Sequence, residues 1–161
     1  MAGVARMQGC PVPDSDGDGI NDEEDKCAAI RGVPENNGCP AISRAIEKKL
    51  AAASRNIFFA TGSARLLATS AGALNTIVQI LRESPDLELH VEGHTDNTGT
   101  AAGNLLLSTQ RAQAVATYIL KKGILPVRVS SAGSGSEKPM ADNDTPQGKA
   151  KNRRVELKVH Y

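Results

Sequence analysis

The sequence is poor in aromatic residues and carries almost no net charge. Tryptophan is absent and aromatic residues make up 2% of the 161 residues, so a binding groove of stacked rings is not expected. The core must consist of Val, Ile, Leu and Ala. The formal net charge of +1 argues against a general nucleic-acid binder, because such proteins carry a strong basic excess. No run approaches the roughly 18 apolar residues of a transmembrane helix, and the first ten residues lack the apolar stretch of a signal peptide.

Acidic residues and cysteines are concentrated at the start of the chain. Residues 1–40 hold eight acidic and three basic residues, a net charge of −5, which leaves +6 for the remainder. All three cysteines, Cys10, Cys27 and Cys39, lie in the same segment. A turn-rich loop separates Cys27 from Cys39, and a disulfide there would stabilise a segment with almost no core, which favours an oxidising compartment. Cys10 would be free or paired outside this sequence. A zinc site is the alternative, but the segment has no His to supply a fourth ligand.

The acidic residues are spaced like the ligands of a calcium loop. Counted from the first Asp, carboxylates fall at positions 1, 3, 5, 9 and 12, with Gly19 at position 6, where such loops turn sharply. Ca²⁺ takes six to eight oxygens, and alternate short carboxylates in a tight turn converge on one point. The expected ligands are the carboxylates of Asp14, Asp16, Asp18, Asp22 and Asp25 and the carbonyl of Ile20. The pattern resembles a thrombospondin type 3 repeat, which implies structural calcium in an extracytoplasmic spacer. A disordered acidic linker is the alternative.

Hydrophobic periodicity predicts an α+β domain over residues 55–161, after an acidic linker over residues 1–40 and a connecting helix over residues 41–54. Two helices within this domain should pack on one face of a small mixed sheet, in a βαβαβ-β sandwich. The acidic segment should be short and irregular. The predicted strands lie near 56–59, 87–92, 126–130 and 154–159, the helices over 67–81 and about 104–122, and a loop over roughly 133–150.

Three motifs in the larger segment occur in the order found in one family of cell-envelope domains. They are VEGHTDNTG at residues 91–99, NLLLSTQRA at 104–112 and NRRVE at 152–156. Together they resemble the C-terminal, peptidoglycan-associating domain of OmpA. An acidic calcium repeat before such a domain resembles the linker of OmpA/OprF-type outer-membrane proteins. The resemblance implies the periplasmic portion of an outer-membrane protein, in contact with the membrane only through a missing N-terminal region. It is compatible with a dimer.

The resemblance also implies a ligand and a site. The family is understood to bind the diaminopimelate residue of the peptidoglycan stem peptide, which presents an ammonium and a carboxylate on one carbon. Asp96 falls at the family's acidic position and Arg111 at its basic one, where a guanidinium fork can grip the carboxylate. Asn104 should bond the ligand or brace the loop, with Thr95 and Arg153 in support. From the predicted elements alone, Asp96 follows a strand and Arg111 lies near the start of a helix, whose N–H groups favour an anion.

Non-covalent binding of peptidoglycan, without catalysis, is therefore the favoured function. The larger domain shows no acid/base pair or metal triad that would indicate an enzyme. The alternative function is a calcium-dependent structural or adhesion spacer with no cell-wall ligand. At the site itself, the alternative is a structural Asp96–Arg111 salt bridge that holds no ligand.

Overall fold

The computed structural model describes residues 11–161, and these divide into two compact units. The larger unit is Arg44–His160, and the smaller one comprises the described residues before it. Cys10 lies outside the described residues, so the expectation for its thiol is not addressed by the structure.

The smaller unit is built from turns around one disulfide. It contains a single 3-10 turn, Pro34–Asn36, and the expected disulfide between Cys27 and Cys39 is present. These two half-cystines are the buried hydrophobic side chains of residues 11–43. Because the unit has no other apolar core, the covalent bond carries much of its stability. The irregular structure agrees with the prediction for this segment.

The larger unit combines four helices with three strands. Apolar residues at helical spacing bury one face of its second helix, where Leu74, Ile77, Val78 and Leu81 are at most 3% exposed. None of the helices in residues 11–161 has both the length and the apolar character required to cross a bilayer. The elements are α1 (Arg44–Ser54), α2 (Ala71–Glu83), β1 (Glu88–Gly93), α3 (Ala101–Lys121), β2 (Val129–Gly133), α4 (Pro146–Asn152) and β3 (Val155–His160).

The three strands form a mixed sheet in the order β2-β1-β3. The central strand β1 pairs in parallel with β2 and antiparallel with β3. Its inward side chains, Leu89 and Val91, are fully buried. Helix α3 approaches the ends of β1 and β2 so closely that a Cβ at Gly93 or Gly133 would clash with its backbone near Ser108. The α+β class and the mixed sheet confirm the predicted fold, and this close approach places α3 beside the loop that follows β1.

The predicted first strand is wrong. Residues 56–59 do not join the sheet, and this segment makes one isolated antiparallel bridge between Phe59 and Leu66. Phe58, expected to be buried, is 46% exposed. A short apolar run does not distinguish a sheet strand from an irregular segment that packs one side on the core, because both bury a few residues.

Two further boundaries differ from the prediction. The strand predicted over residues 126–130 begins only at Val129, because Pro126 starts a 3-10 turn, Pro126–Arg128. The loop predicted over roughly residues 133–150 contains α4. This short helix is capped by the side chain of Thr145, which accepts a hydrogen bond from the backbone N–H of Gly148, and it has a proline in its first turn.

Candidate functional site

The Asp96 carboxylate is fixed on both of its oxygens. Its side chain is 11% exposed. Oδ1 accepts a hydrogen bond from the backbone N–H of Thr98 at 2.9 Å, and Oδ2 accepts one from Nη1 of Arg153 at 2.6 Å. The Asp96 carbonyl accepts bonds from Oγ1 of Thr95 at 2.9 Å and from Nδ2 of Asn104 at 3.2 Å. Thr95 and Asn104 therefore hold the loop backbone, and Asp96 presents its carboxylate beside a guanidinium.

The loop that carries Asp96 is tied to two neighbouring segments. The backbone N–H of His94 donates to the carbonyl of Arg154 at 2.9 Å, and that of Thr95 donates to the carbonyl of Gly135 at 2.8 Å. Gly135 in turn donates its N–H to Oγ of Ser108 on α3, also at 2.9 Å. Because these bonds reach the residue before β3 and a side chain of α3, the position of Asp96 is set by the core of the larger unit.

Arg111 lies in the middle of α3, so the expectation that it lies near the start of a helix is wrong. The helix begins at Ala101, with Thr100 as its N-cap, and extends over 21 residues. Ten residues at 1.5 Å each separate Arg111 from the first helical residue, a distance of about 15 Å. The free N–H groups of the first turn therefore cannot share an anion with this guanidinium.

The guanidinium of Arg111 is held by the segment that precedes α2. Its Nε donates to the carbonyl of Ser63 at 3.0 Å, and its central carbon lies 5.2 Å from the centre of the Phe59 ring. Within residues 11–161, this is the one hydrogen bond that the side chain donates, although the residue is only 9% exposed. Burial, and then the nearby charge of Arg153, lower the pKa of Arg111. The terminal amino groups make no hydrogen bond to the described chain and are open to a ligand at the pocket.

The salt bridge of Asp96 is made with Arg153. The alternative of a structural salt bridge required Arg111 as the partner, so the structure does not support it. Burial alone would raise the pKa of Asp96, but the hydrogen bonds from Arg153 and Thr98 outweigh it, so the pKa lies below its ordinary value. Arg153 remains 46% exposed. Arg111 and Arg153 both line one small pocket, and its other lining residues are Ile57, Phe59, Arg154 and Val155.

Three residues near the pocket were not predicted from the sequence. Phe59 and Ser63, which hold Arg111, belong to the segment interpreted as a buried strand and its turn. Lys149, on α4, places Nζ 3.3 Å from Oγ1 of Thr98 and so adds a positive charge beside the Asp96 loop. The Thr-Pro sequence at residues 145–146, typical of a helix start, is a local signal for α4.

A second polar cluster supports the loop from the outer face of the sheet. Glu92, His94 and Glu156 place ligand-type atoms within 4.8 Å of one another. His94 is 1% exposed, and neither ring nitrogen makes a hydrogen bond. Hydrogen bonds from Lys138 and Ser134 lower the pKa of Glu92. The two carboxylates are compensated by the side chains of Lys138, Arg154 and Lys158. The cluster is therefore a network of ion pairs around one buried neutral imidazole.

In the smaller unit, three of the expected metal ligands converge, and a fourth, Asp25, has a buried oxygen without a hydrogen-bond partner. Carboxylate oxygens of Asp14, Asp16 and Asp18 lie within 4.8 Å of one another. Oδ2 of Asp16 and Oδ2 of Asp25 are buried and have no hydrogen-bond partner. Desolvation, together with the Asp18, Asp25 and Asp14 carboxylates, raises the pKa of Asp16 against one opposing backbone hydrogen bond. Buried carboxylate oxygens without donors fit a hard cation that takes oxygen ligands.

The other two expected metal ligands are the Asp22 carboxylate and the Ile20 carbonyl, and the hydrogen bonds of these two residues shape the loop. Asp22 accepts hydrogen bonds from the backbone N–H of Ser15 at 2.8 Å and from its hydroxyl at 2.7 Å. Ile20 donates its N–H to Oδ1 of Asp18 at 2.8 Å, which bends the loop at its centre. These bonds fold the acidic segment into a loop without requiring an ion for each carboxylate.

Comparison with known proteins identifies the larger unit. The OmpA family matches residues 58–153, and that range contains Asp96, Asn104 and Arg111. The chain belongs to the OmpA family. This family match begins after the acidic segment, so it does not bear on the calcium repeat.

Three relatives are each 36% identical to this chain over the aligned residues. The peptidoglycan-binding protein ArfA of Mycobacterium tuberculosis is 36% identical over 141 residues, which is 88% of this chain and 42% of ArfA. Outer membrane porin F of Pseudomonas aeruginosa is 36% identical over 149 residues, 91% of this chain and 41% of the porin. The peptidoglycan-associated lipoprotein of the same species is 36% identical over 132 residues, 79% of this chain and 78% of the lipoprotein. The chain therefore spans less than half the length of the first two.

Solved structures of similar proteins show the same fold. The peptidoglycan-associated lipoprotein of Burkholderia pseudomallei superposes with a TM-score of 0.61 at 28% identity, over 65% of this chain and 88% of that one. The C-terminal domain of Helicobacter pylori MotB gives a TM-score of 0.60 at 26% identity, over 66% of this chain and 83% of that one.

Proposed function

We propose that this chain binds peptidoglycan non-covalently through the diaminopimelate residue of the stem peptide and so anchors an outer-membrane protein to the cell wall from the periplasm. One observation carries the proposal. The larger unit holds a mostly buried carboxylate, Asp96, that is close enough to act electrostatically on a mostly buried guanidinium, Arg111, whose terminal amino groups have no acceptor within the described residues. The names of its relatives, a peptidoglycan-binding protein and a peptidoglycan-associated lipoprotein, support it.

The two groups match the chemistry of an amino-acid head. The ammonium of diaminopimelate would donate to Asp96, whose Oδ1 is held in place by the N–H of Thr98. The carboxylate on the same carbon would accept two parallel hydrogen bonds from Arg111, because a guanidinium presents its donors as a planar fork. Phe59 and the Ser63 carbonyl fix that fork in advance, so little side-chain freedom is lost on binding. The activity proposed is binding, with no chemical step.

The test is sedimentation with purified peptidoglycan, with free meso-diaminopimelate as the competitor. Asp96→Asn and Arg111→Lys should each weaken binding about 10-fold or more, because each removes a charged hydrogen-bonding partner. Arg82→Lys is the matched control, since this exposed arginine also donates to one backbone carbonyl, that of Lys122. Binding that is unchanged in both site variants would refute the assignment. Nα-acetyl-lysine amide, whose side-chain ammonium has no carboxylate on the same carbon, should compete poorly; competition equal to that of diaminopimelate would show that Arg111 has another role.

We also propose that the acidic segment binds a structural Ca²⁺ ion. The donorless oxygens of Asp16 and Asp25 support this, together with the clustered carboxylates of Asp14 and Asp18. The same observation favours the second candidate function, a calcium-dependent spacer. Each carboxylate would supply an oxygen, and the ion would offset the repulsion among them.

Titration calorimetry of the chelator-treated protein with Ca²⁺ tests the proposal. Asp16→Asn should reduce the affinity strongly, whereas Glu35→Gln, an exposed acid of the same unit, should not. The absence of any heat with the unmodified protein would refute it. A spacer without a cell-wall ligand would show calcium binding and no sedimentation with peptidoglycan.

A further inference from the structure

The turn between α3 and β2 exposes two large apolar side chains to solvent. Leu125 is 62% exposed and Val127 is 77% exposed, the latter more than any other large apolar side chain of residues 11–161. They flank Pro126, which begins a 3-10 turn. A single exposed apolar residue needs no explanation, but two at the tip of one turn form a patch that can bind another apolar surface. Residues 124–128 are called the apolar turn below.

The apolar turn is fixed to the core on both of its sides. Ile124, which precedes the exposed pair, is buried. Arg128, which follows it, donates its backbone N–H to the carbonyl of Leu125 at 3.0 Å. The guanidinium of Arg128 also donates to three backbone carbonyls of the segment that joins α2 to β1. Because the two apolar side chains are already held in place, a partner surface can bind them without first ordering the turn.

The apolar turn and the pocket lie at opposite ends of the larger unit. β1 leads into the Asp96 loop at its last residue, whereas the parallel strand β2 begins directly after the turn, with Val129 opposite Leu89 at the start of β1. The length of β1, about 17 Å, therefore separates the two features along the sheet. Helix α3 spans the same distance, because Asn104 in its first turn bonds the Asp96 carbonyl and its last residue lies just before the apolar turn.

Positive charge is concentrated on the segment that carries the apolar turn. Residues 121–128 contain three basic residues and no acidic one. Arg82 adds a fourth, because its Nη2 donates to the carbonyl of Lys122 at 2.7 Å. Three acidic residues lie in the neighbouring segment 83–88, so the excess charge of this end is small. An apolar tip beside lysines matches the surface of a phospholipid bilayer, which accepts apolar groups at its interface and ammonium groups at its phosphates.

We propose that the apolar turn docks the larger unit on a phospholipid membrane. Leu125 and Val127 enter the bilayer interface, and Lys121 and Lys122 contact the lipid phosphates. The inference rests on the proposed function for its direction alone: if the pocket faces peptidoglycan, the opposite end faces the membrane. Contact with the membrane is then not limited to a missing N-terminal region, as the sequence led us to expect. Two apolar side chains bind weakly by themselves, but attachment to a membrane-bound protein raises their local concentration at the bilayer.

Flotation with vesicles of phosphatidylethanolamine and phosphatidylglycerol at low salt tests the proposal. The unmodified protein should float with the vesicles, and the double variant Leu125→Ser/Val127→Ser should lower its partition coefficient about 10-fold or more. The matched control is Leu105→Ser/Leu106→Ser, which removes two exposed leucines from the start of α3 and should change the coefficient less than about twofold. Lys121→Gln/Lys122→Gln should also lower it about 10-fold, because both lysines lie beside the anionic surface.

Each outcome decides for or against the docking surface. The absence of flotation, or flotation that survives Leu125→Ser/Val127→Ser, would overturn the inference. Amide hydrogen exchange should show protection of residues 124–128 when vesicles are added, and protection confined to other segments would overturn it as well. Self-association in sedimentation velocity that the same variant abolishes would assign the turn to a second copy of this chain.

The vesicle assay is independent of the cell-wall ligand. Because the pocket lies at the other end of the larger unit, Leu125→Ser/Val127→Ser should bind meso-diaminopimelate as the unmodified protein does. Failure of the unmodified protein to float would therefore leave the proposed function intact. Failure of the unmodified protein to bind diaminopimelate would instead refute the proposed function, whatever the vesicles show.

Discussion

Two arginines of the larger unit both donate to backbone carbonyls but should respond oppositely to replacement by methionine. Arg111 donates one hydrogen bond, to the Ser63 carbonyl, and lies over an aromatic ring. Arg128 donates through Nε and Nη2 to the carbonyls of three residues, Leu81, Ser84 and Leu87, at 2.7 to 2.9 Å. We expect Arg111→Met to abolish ligand binding with little effect on stability, and Arg128→Met to do the reverse.

The magnitudes follow from what each replacement removes. Arg111→Met loses one charged hydrogen bond, about 1.5–3 kcal/mol, and a ring contact of about 0.5–2 kcal/mol. It also removes a desolvated cation without an ion-pair partner, whose burial costs on the order of several kcal/mol. These contributions oppose each other, so the free energy of unfolding should change by no more than about 1 kcal/mol. Arg128→Met leaves the carbonyls of Leu81 and Leu87 without this donor, at about 1–3 kcal/mol each, whereas the Ser84 carbonyl still accepts from the N–H of Leu87, so at least about 2 kcal/mol should be lost.

Urea denaturation followed by circular dichroism measures the stability change, and calorimetry with meso-diaminopimelate measures binding. Arg111→Met should lower the affinity about 100-fold or more, because the carboxylate loses both arms of the fork. Arg128→Met, measured well below its unfolding midpoint, should bind as the unmodified protein does. If Arg111→Met retains binding, or destabilises the protein by about 3 kcal/mol or more, then the guanidinium is structural and the reasoning fails. That threshold is about twice the roughly 1.5 kcal/mol lower bound for one charged hydrogen bond.

Three further outcomes are expected. Burial and the nearby charge of Arg154 lower the pKa of His94 from 6.5, so the unfolded state takes up the proton first. Stability should therefore fall from about pH 6.5 towards 5, and less so in His94→Gln; equal pH profiles would contradict this. Reduction of the Cys27–Cys39 disulfide, which closes a loop with a sequence separation of 12, should cost about 3 kcal/mol and speed proteolysis of residues 11–43; unchanged cleavage would contradict it. Phe59→Leu should weaken diaminopimelate binding about two- to fivefold without unfolding the protein, as urea titration would check.

Local sequence signals were sufficient for one half of the site. Asp96 follows an alternating strand, β1, and its neighbourhood is rich in turn residues, so its place in a loop at the end of a strand could be predicted. Asn104 lies in the first turn of α3, where the predicted helix began, although the structural helix starts three residues earlier at Ala101. The α+β class also followed from periodicity, because β1, α2 and α3 bury residues at regular intervals.

Contacts between distant segments were not visible in the sequence. The Asp96–Arg153 bond joins residues 57 positions apart, and the Arg111–Ser63 bond joins residues 48 apart. Neither distance corresponds to a helical or strand repeat, so no periodicity argument could supply it. The position of Arg111 along α3 was missed for a related reason: the prediction began the helix at Asn104, whereas the N-cap that sets its start is Thr100.

The relative exposure of Arg111 and Arg153 decides which of them contributes more to the affinity for the ligand. Arg153 is 46% exposed and its pair with Asp96 is partly screened by water, so the pair is worth no more than about 1 kcal/mol. An ammonium that replaces Arg153 therefore gives up less than about a fivefold factor in affinity. Arg111 is only 9% exposed and is held in advance by the Ser63 carbonyl, so a carboxylate that binds it gains the interaction at a small further desolvation cost. Affinity for the amino-acid head should thus depend on Arg111 more than on Arg153.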